Sequence, residues 1–334
     1  MWPGTFRWSG IRVNCGLCGR DDCEVLFQQD QHAFRLRTVM CRQCGLVYLN
    51  PRPTAQEYDD FYQRWYHRLY PARAAFNAGK LGARIAAETA RQRCHAYAGY
   101  LEGPVQLLEI GPGEGAFLSA LQTMFPKSKT RGVDLSPMEV EVCRGKELEV
   151  VCGSIENLPK TFNDNTHIAV FHVLEHSLDP LNMLRQIAVR LRPGCYLFVE
   201  VPNILGSWQG LGMLHIAHPY QFAPATLGRT LHTAGFELIC LEALEEPLFQ
   251  SSIRAVARLS HEKVEPAPLP PMPTVDEMRL LFQRKLKNWR KELIVGGIKR
   301  YATACLGPHW SAALWEHTTG RQWARWLTQV ALQV

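Results

Sequence analysis

The sequence lacks any long uninterrupted run of apolar residues. A helix that spans a bilayer needs roughly 20 of them, and no segment of the 334 residues approaches that length. The opening residues, Met1-Trp2-Pro3-Gly4, also lack the basic and then apolar pattern of a signal peptide. We therefore expect a cytoplasmic protein.

A strong charge imbalance is missing as well. The net charge of +6 is mild for this length, whereas a dedicated nucleic-acid binder carries a dense basic stripe. Hydrophobic residues make up 46% and charged residues 20%, which is the balance of a folded globular protein rather than a disordered one. Charge alone therefore identifies no partner.

The cysteine pattern does not suit a disulfide framework. The chain has 11 cysteines, an odd number, and apart from two tight pairs they are scattered along the sequence. Reduced thiols and a bound metal fit this pattern better than a secreted, disulfide-bonded fold.

The two tight pairs predict a zinc site. Cys15 and Cys18 form one C-x-x-C turn, and Cys41 and Cys44 form the second. Two such turns can complete the tetrahedral sulfur shell that zinc prefers, and four cysteine ligands leave no open position for water. We therefore predict a structural Zn²⁺ rather than a catalytic or redox centre, with Cys23 outside the ligand set.

Residues 104 to 260 alternate between apolar, strand-like runs and helical periods. This alternation predicts a Rossmann-like α/β fold with a parallel sheet and crossover helices. The last two of seven runs have no clear helix between them, so we expect an antiparallel hairpin at one edge. The predicted strands are 105–110, 129–134, 148–152, 167–173, 195–201, 237–244 and 251–259.

Composition changes along the chain predict five units. We expect a zinc-binding module, a helical connector or lid, the sheet domain, a proline-rich linker and a helical C-terminal extension. These units are predicted at residues 11–52, 53–102, 103–260, 261–273 and 274–334.

A glycine-rich segment after the first strand of the sheet domain predicts a cofactor loop. Glu109 precedes Gly111, Gly113 and Gly115, and Asp134 ends the second strand, where a carboxylate can accept both ribose hydroxyls of an adenosine cofactor. The loop alone also matches a dinucleotide fingerprint. Because Glu109 would repel a pyrophosphate but can pair with an ammonium group, the segment favours S-adenosylmethionine.

With the segments that follow, the chain resembles the class I methyltransferases that use S-adenosylmethionine. Within them it is similar to the group with a CxxCG…CxxCGLVYLNPRP module, which includes sugar-modifying and natural-product methyltransferases of bacteria. The resemblance implies that Asp134 and Leu135 hold the ribose and that Ser154 and Ile155 lie at the adenine edge, although the family usually has Asp where Ser154 stands. The segments that carry it are 15–53, 107–115, 133–136, 153–159, 172–180, 191–194 and 234–236.

Acid–base residues follow the fourth strand of the predicted sheet. His172, Glu175 and His176 fall at its carboxyl end, where ligands of such sheets bind. A histidine near neutral pKa is the usual general base, so one of these two histidines, His172 or His176, is the first candidate. A capping role for His176 and a cofactor-lining role for His172 remain open. Relatives with an E-x-x-E-H segment bind a divalent ion, and His172 stands where their first glutamate would be, which argues against that ion here.

A long insertion follows the fifth strand and is expected to shape the acceptor pocket. It covers residues 203–222 and contains Trp208, His215, His218 and Tyr220. We predict His218 and Tyr220 as further catalytic residues, with a solvated loop as the alternative.

The acceptor is predicted to be a small molecule or a glycan, methylated on oxygen. No Asn/Asp-Pro-Pro-Tyr/Phe tetrad follows the fourth strand, which argues against common amino methylation of nucleic-acid bases. One alternative is an RNA methyltransferase that carries a zinc module. In the ribosomal-RNA enzymes of that kind the second ligand pair resembles C-x₃-H, whereas this chain has C-x₂-C there. A non-catalytic binding protein is a further alternative. The basic C-terminal segment could contact an anionic membrane or RNA, or pack on its own domain.

Overall fold

The computed structural model describes residues 8–28, 35–64, 80–207, 213–246, 248–249, 251–260 and 268–288. Trp208 and the basic residues beyond 288 lie outside the described residues, so the sequence-based expectations for them stay predictions. Among the described helices, none combines the length and the apolar character needed to cross a membrane.

The described residues contain eleven strands and seven α-helices. The strands are β1 (Cys23–Phe27), β2 (Thr38–Cys41), β3 (Val47–Leu49), β4 (Gln106–Ile110), β5 (Lys129–Asp134), β6 (Val150–Cys152), β7 (Asn165–Phe171), β8 (Leu191–Pro202), β9 (Tyr220–Gln221), β10 (Phe236–Leu244) and β11 (Ser252–Leu259). The helices are α1 (Ala55–Arg64), α2 (Lys80–Tyr97), α3 (Ala116–Met124), α4 (Pro137–Gly145), α5 (Pro180–Arg190), α6 (Pro224–Thr233) and α7 (275–288).

The larger sheet has seven strands in the order β10-β11-β8-β7-β4-β5-β6. Strands β4 to β8 pair in parallel, and β11 and β10 add an antiparallel hairpin at one edge. This confirms the predicted Rossmann-like α/β fold. On β4, Leu107 and Leu108 enter different apolar clusters, because successive strand residues point to opposite faces and helices cover both.

Local sequence signals fix several helix starts. Asp179 accepts a hydrogen bond from the Asn182 N–H at 2.9 Å, and Pro180 occupies the first turn of α5. At α1, Thr54 and Glu57 cap each other reciprocally, with Thr54 N–H donating to Glu57 Oε2 at 2.9 Å. These caps satisfy N–H groups that have no partner inside the helix.

The N-terminal module forms a four-stranded sheet in the order β1-β2-β3-β9. Its last strand, β9, comes from the segment after β8 and pairs antiparallel with β3. Helix α7 also packs on this module, where Phe282 stacks on Phe27 and Arg279 lies 2.8 Å from Glu24 Oε2. The cysteine-bearing segment therefore shares its sheet and its core with distant parts of the chain, while the predicted domain limits stay a prediction.

Candidate active site and metal centre

Four cysteine sulfurs meet in the N-terminal module. The Sγ atoms of Cys15, Cys18, Cys41 and Cys44 all lie within 4.8 Å of one another. Cys15 Sγ is 3.4 Å from Cys44 Sγ, and Cys18 Sγ is 3.5 Å from Cys41 Sγ. These distances exclude disulfides, whose sulfurs lie about 2.0 Å apart.

The cluster fits a tetrahedral Zn²⁺. Sulfurs bound at about 2.3 Å lie roughly 3.8 Å apart along the edges of a tetrahedron, close to the spacing observed here. Both turns have the same backbone geometry, because Gly19 N–H donates to the Cys15 carbonyl and Gly45 N–H to the Cys41 carbonyl, each at 2.9 Å. The structure thus brings the four predicted ligands together. Four thiolates fill the coordination shell of a tetrahedral ion, so a metal bound here would sit in a closed, structural site.

The glycine segment after β4 forms a tight loop at the carboxyl edge of the sheet. Gly111 has φ of +68° and its N–H donates to the Val133 carbonyl at 2.8 Å. A Cβ at this position would lie 2.5 Å from Val173 Cγ2, so a side chain would push the loop away from the segment after β7. Gly115 then begins helix α3 as its N-cap residue.

Asp134, at the end of β5, lies beside this loop. Its carboxylate accepts hydrogen bonds from Gly113 N–H at 3.1 Å and from Ser136 N–H at 2.8 Å. Burial raises the pKa of Asp134, while these two hydrogen bonds oppose the rise. Because each carboxylate oxygen has more than one lone pair, both can still accept a ribose hydroxyl.

Glu109 is buried beneath the loop. Burial raises the pKa of its carboxyl to about 8, against the lowering influence of Arg93. Its Oε2 has no hydrogen-bond partner among the described residues. A buried carboxylate oxygen without a partner is costly unless a cation lies next to it. The ammonium group of S-adenosylmethionine, which the sequence analysis pairs with Glu109, is such a cation.

The predicted ribose and adenine contacts beyond Asp134 lie on the loops that follow β5 and β6. Leu135 is 73% exposed directly after Asp134, so it offers uncovered apolar surface next to the carboxylate. Ser154 has extended backbone geometry before a short 3₁₀ turn, and Ile155 is buried below it. The structure brings these residues to the same edge of the sheet as the glycine loop.

His172, Glu175 and His176 lie on the turn after β7, the strand next to β4. His172 has φ of +56°, an uncommon conformation for a non-glycine residue. Its Nδ1 lies 3.6 Å from Glu175 Oε1. Burial would raise the pKa of Glu175, but the neighbouring imidazoles of His172 and His176 outweigh burial and hold that pKa below its usual value.

His176 is held by the insertion and by helix α1. Its Nδ1 lies 2.7 Å from the Ala217 carbonyl and 2.7 Å from the hydroxyl of Tyr62. The Tyr58 hydroxyl lies 2.8 Å from the carbonyl oxygens of both His176 and Ala217, so its single proton can be donated to either of them. Sequence analysis did not identify Tyr58 and Tyr62 as site residues, although their spacing of four on a helix placed both on one face.

The insertion brings His218 to the same place but not the Tyr220 hydroxyl. The rings of His218 and His176 have centroids 4.5 Å apart, and His215 lies against His218. Tyr220, on β9, instead accepts a hydrogen bond from Arg52 at 3.0 Å. Tyr220 therefore faces the four-cysteine module, while His218 joins the cluster after β7.

A buried ionic network supports the site from below. Glu200, on β8, lies 2.7 Å from Arg93 Nε and 2.9 Å from Arg254 Nε. The carbonyl of Glu200 also accepts the N–H of His172 at 2.8 Å. Because the buried Glu200 carboxylate is paired on both sides, it can hold α2, β8 and β11 together beneath the turn after β7.

The chain matches the sequence profile of one known protein family. Residues 62–241 match the sequence profile of a family described as a methyltransferase domain. No curated protein matches the chain.

Several solved structures are similar to the chain. The plantazolicin methyltransferase BpumL in complex with SAH has a TM-score of 0.48 and 12% identity, over 61% of this chain and 94% of that one. The mitomycin 7-O-methyltransferase MmcR has a TM-score of 0.47 and 20% identity, over 60% of each chain. A chain in a complex with the Trm112 methyltransferase activator of Haloferax volcanii has a TM-score of 0.45 and 18% identity, over 61% and 98%.

The matched residues extend from α1 to β10 and include the glycine loop, Asp134 and the turn after β7. The chain therefore belongs to the methyltransferase-domain family and has the seven-stranded fold of the class I enzymes, whose methyl donor is S-adenosylmethionine.

Proposed function

We propose that the protein transfers a methyl group from S-adenosylmethionine to an oxygen of a small molecule or glycan, such as a sugar or a natural-product-like metabolite. The observation that carries this proposal is the position of a histidine and carboxylate cluster directly beside the glycine loop. Val173, between His172 and the 3₁₀ turn Leu174–His176, packs against Gly111. An acceptor bound at that turn would thus lie next to the reactive end of the cofactor.

The chain's own residues would bind and orient the cofactor. When bound, S-adenosylmethionine supplies an electrophilic methyl group. Asp134, with Leu135 beside it, would hold the ribose hydroxyls. Ser154 and Ile155 would border the adenine, and Glu109 would face the ammonium group. These contacts fix the direction of the methyl group, which is most of what an in-line displacement requires from the protein.

Proton removal falls to the histidine cluster. We propose that His176, with His172 and His218 beside it, prepares the acceptor hydroxyl, and that Glu175 holds these imidazoles in place. The hydroxyl of Tyr62, 2.7 Å from His176 Nδ1, and the Ala217 carbonyl fix the orientation of the His176 ring. General-base assistance of this kind contributes roughly 10²–10⁴-fold to the rate.

Transfer of a labelled methyl group tests the proposal. Purified protein and labelled S-adenosylmethionine are incubated with fractions of a cell lysate, each divided into RNase-treated and untreated portions. We expect label in a small-molecule or glycan fraction that is insensitive to RNase. Label that disappears with RNase would instead establish the RNA alternative, and absence of any labelled product would contradict a methyltransferase activity.

The oxygen specificity needs its own control. A labelled product with an ether-linked methyl group resists mild acid and base, whereas a methyl ester is released by base. Release of the label by mild base, or its recovery on nitrogen or carbon, would overturn methylation of a hydroxyl while leaving the cofactor assignment intact.

A further inference from the structure

A second group of metal-type donors lies in the candidate active site, away from the four cysteines. A carboxylate oxygen of Glu175 and one ring nitrogen each of His176 and His218 lie within 4.8 Å of one another. Donors bound to one ion at about 2.1 Å lie roughly 3–3.5 Å apart. Side-chain rotations that move each donor atom by about 1 Å would therefore bring all three within reach of a single ion.

Both imidazoles are oriented as metal ligands are. His176 Nδ1 lies 2.7 Å from the Ala217 carbonyl, and His218 Nδ1 lies 3.0 Å from the Met213 carbonyl. Because a carbonyl only accepts hydrogen bonds, each Nδ1 carries the proton and each lone pair is on Nε2. In metal sites, a ligating histidine commonly donates its second ring N–H to a backbone carbonyl in this way.

Glu175 supplies an independent indication of a cation. Its side chain is only 2% exposed, and its Oε2 has no hydrogen-bond partner among the described residues. Its Oε1 lies 3.6 Å from His172 Nδ1 and 3.9 Å from His176 Nε2. Leaving a carboxylate oxygen buried without a partner is unfavourable, and a cation between Glu175 and the two imidazoles would remove that cost.

We propose that Glu175, His176 and His218 bind a divalent ion of the zinc type. Imidazole nitrogen and carboxylate oxygen form the donor set that such ions accept, and three protein ligands leave coordination positions open. The sequence argued against an ion at this turn because His172 replaces a glutamate. In the fold, the third donor comes instead from His218, in the insertion after β8.

The role of this ion rests on the proposed function. An acceptor hydroxyl bound at an open coordination position would become more acidic, because a Lewis acid lowers the pKa of a coordinated oxygen. With the Nε2 lone pairs of His176 and His218 on the ion, the hydroxyl proton would pass to His172 rather than to His176. The oxygen would form a bond to the methyl carbon, and the cofactor sulfur would keep the electron pair of the broken S–C bond. The products are the methylated acceptor, S-adenosylhomocysteine and one proton.

Cobalt(II) titration of the tag-free full chain, after removal of bound metal, tests the site without any acceptor. Thiolate coordination gives intense charge-transfer absorption, whereas nitrogen and oxygen coordination gives only weak visible bands, so the two sites are separable. We expect about two ions per chain in the wild type. His218→Ala and Glu175→Gln should each reduce this to about one and keep the thiolate band.

Matched controls make the result decisive. His232→Ala removes a histidine from the end of α6 and should bind cobalt like the wild type, whereas Cys41→Ser should lose the thiolate band. Circular dichroism and S-adenosylhomocysteine binding verify that each variant is folded. A single ion in the wild type, or full binding by His218→Ala, would overturn the inference. Methyl transfer without a second ion would refute only this site, and a second ion without transfer would refute only the proposed function.

Discussion

The four-cysteine module and the carboxyl edge of the seven-stranded sheet differ in the kind of buried polar atom that has no partner among the described residues. In the module these atoms include the neutral hydroxyl oxygens of Thr38 and Tyr48, whereas at the sheet edge they are carboxylate oxygens. In the module, matching N–H to carbonyl hydrogen bonds close both cysteine turns, and the four sulfurs face one another. At the sheet edge, Glu109 and Glu175 each bury an oxygen that has no partner among the described residues, and His172 has a positive φ. A buried carboxylate without a partner costs far more free energy than a buried hydroxyl, so the difference marks the sheet edge as the candidate binding site.

Removing His176 should give the largest change at the sheet edge. In the proposed mechanism the His176 imidazole activates the acceptor, so His176→Ala should lower turnover by roughly 10²–10⁴-fold while cofactor affinity changes little. Steady-state rates and calorimetry on the same preparation measure the two quantities. His232→Ala serves as the control, and equal turnover in His176→Ala and wild type would remove His176 from the mechanism.

On the module side, Cys41→Ser should release the zinc and destabilise the fold. Because metal binding by such a site is coupled to folding, the free energy of unfolding should fall by about 3–5 kcal/mol. Metal analysis and thermal unfolding check this prediction. Cys23→Ser is the matched control, since Cys23 lies on β1 outside the cluster, and retained zinc in Cys41→Ser would contradict the assigned ligand set.

The buried carboxyl of Glu109 predicts a pH dependence of stability in the absence of cofactor. Its pKa is raised to about 8 in the folded protein from 4.5, so between these values the unfolded chain is charged while the folded one stays protonated. Folding stability should therefore fall as pH rises, by about 2–3 kcal/mol from pH 5 to 7. Denaturant titration of Glu109→Gln should show this loss reduced, and parallel curves for both proteins would place the carboxyl in another environment.

The smallest of these effects is expected at the ribose contact. In the proposed binding mode Asp134 accepts both ribose hydroxyls, so Asp134→Ala should lower the affinity for S-adenosylhomocysteine by about 10–100-fold. Isothermal calorimetry measures it. Asp164→Ala removes a different carboxylate, one that pairs with Arg192 at the surface, and should bind like the wild type. Unchanged affinity in Asp134→Ala would relocate the cofactor.

Local features of the fold could be predicted from the sequence. The limits of β5 agree with the predicted strand, and the hairpin of β10 and β11 was expected because no helical period separates them. Strand β8 begins four residues earlier than predicted, at Leu191, since it follows α5 without a turn. Periodicity and capping residues report on neighbours along the chain, which is why these elements were accessible.

Contacts between distant segments could not be predicted in the same way. Two-residue strand β9 is too short to give a periodic signal, and nothing in its sequence specifies pairing with Val47 and Tyr48 of β3. The approach of His218 to Glu175 depends on how the insertion folds back over the turn after β7. Both features follow from the packing of the whole chain and not from local preference.

Strand β9 joins two chemistries that the sequence keeps far apart. It lies two residues after His218 and is paired to β3, which begins three residues after Cys44. A zinc-starved chain would keep the glycine loop and Asp134, and with them its hold on the nucleoside. It would lose the pairing of β9 with β3, which holds the segment that contains His218 in place. We therefore expect loss of zinc to impair methyl transfer before it impairs cofactor binding.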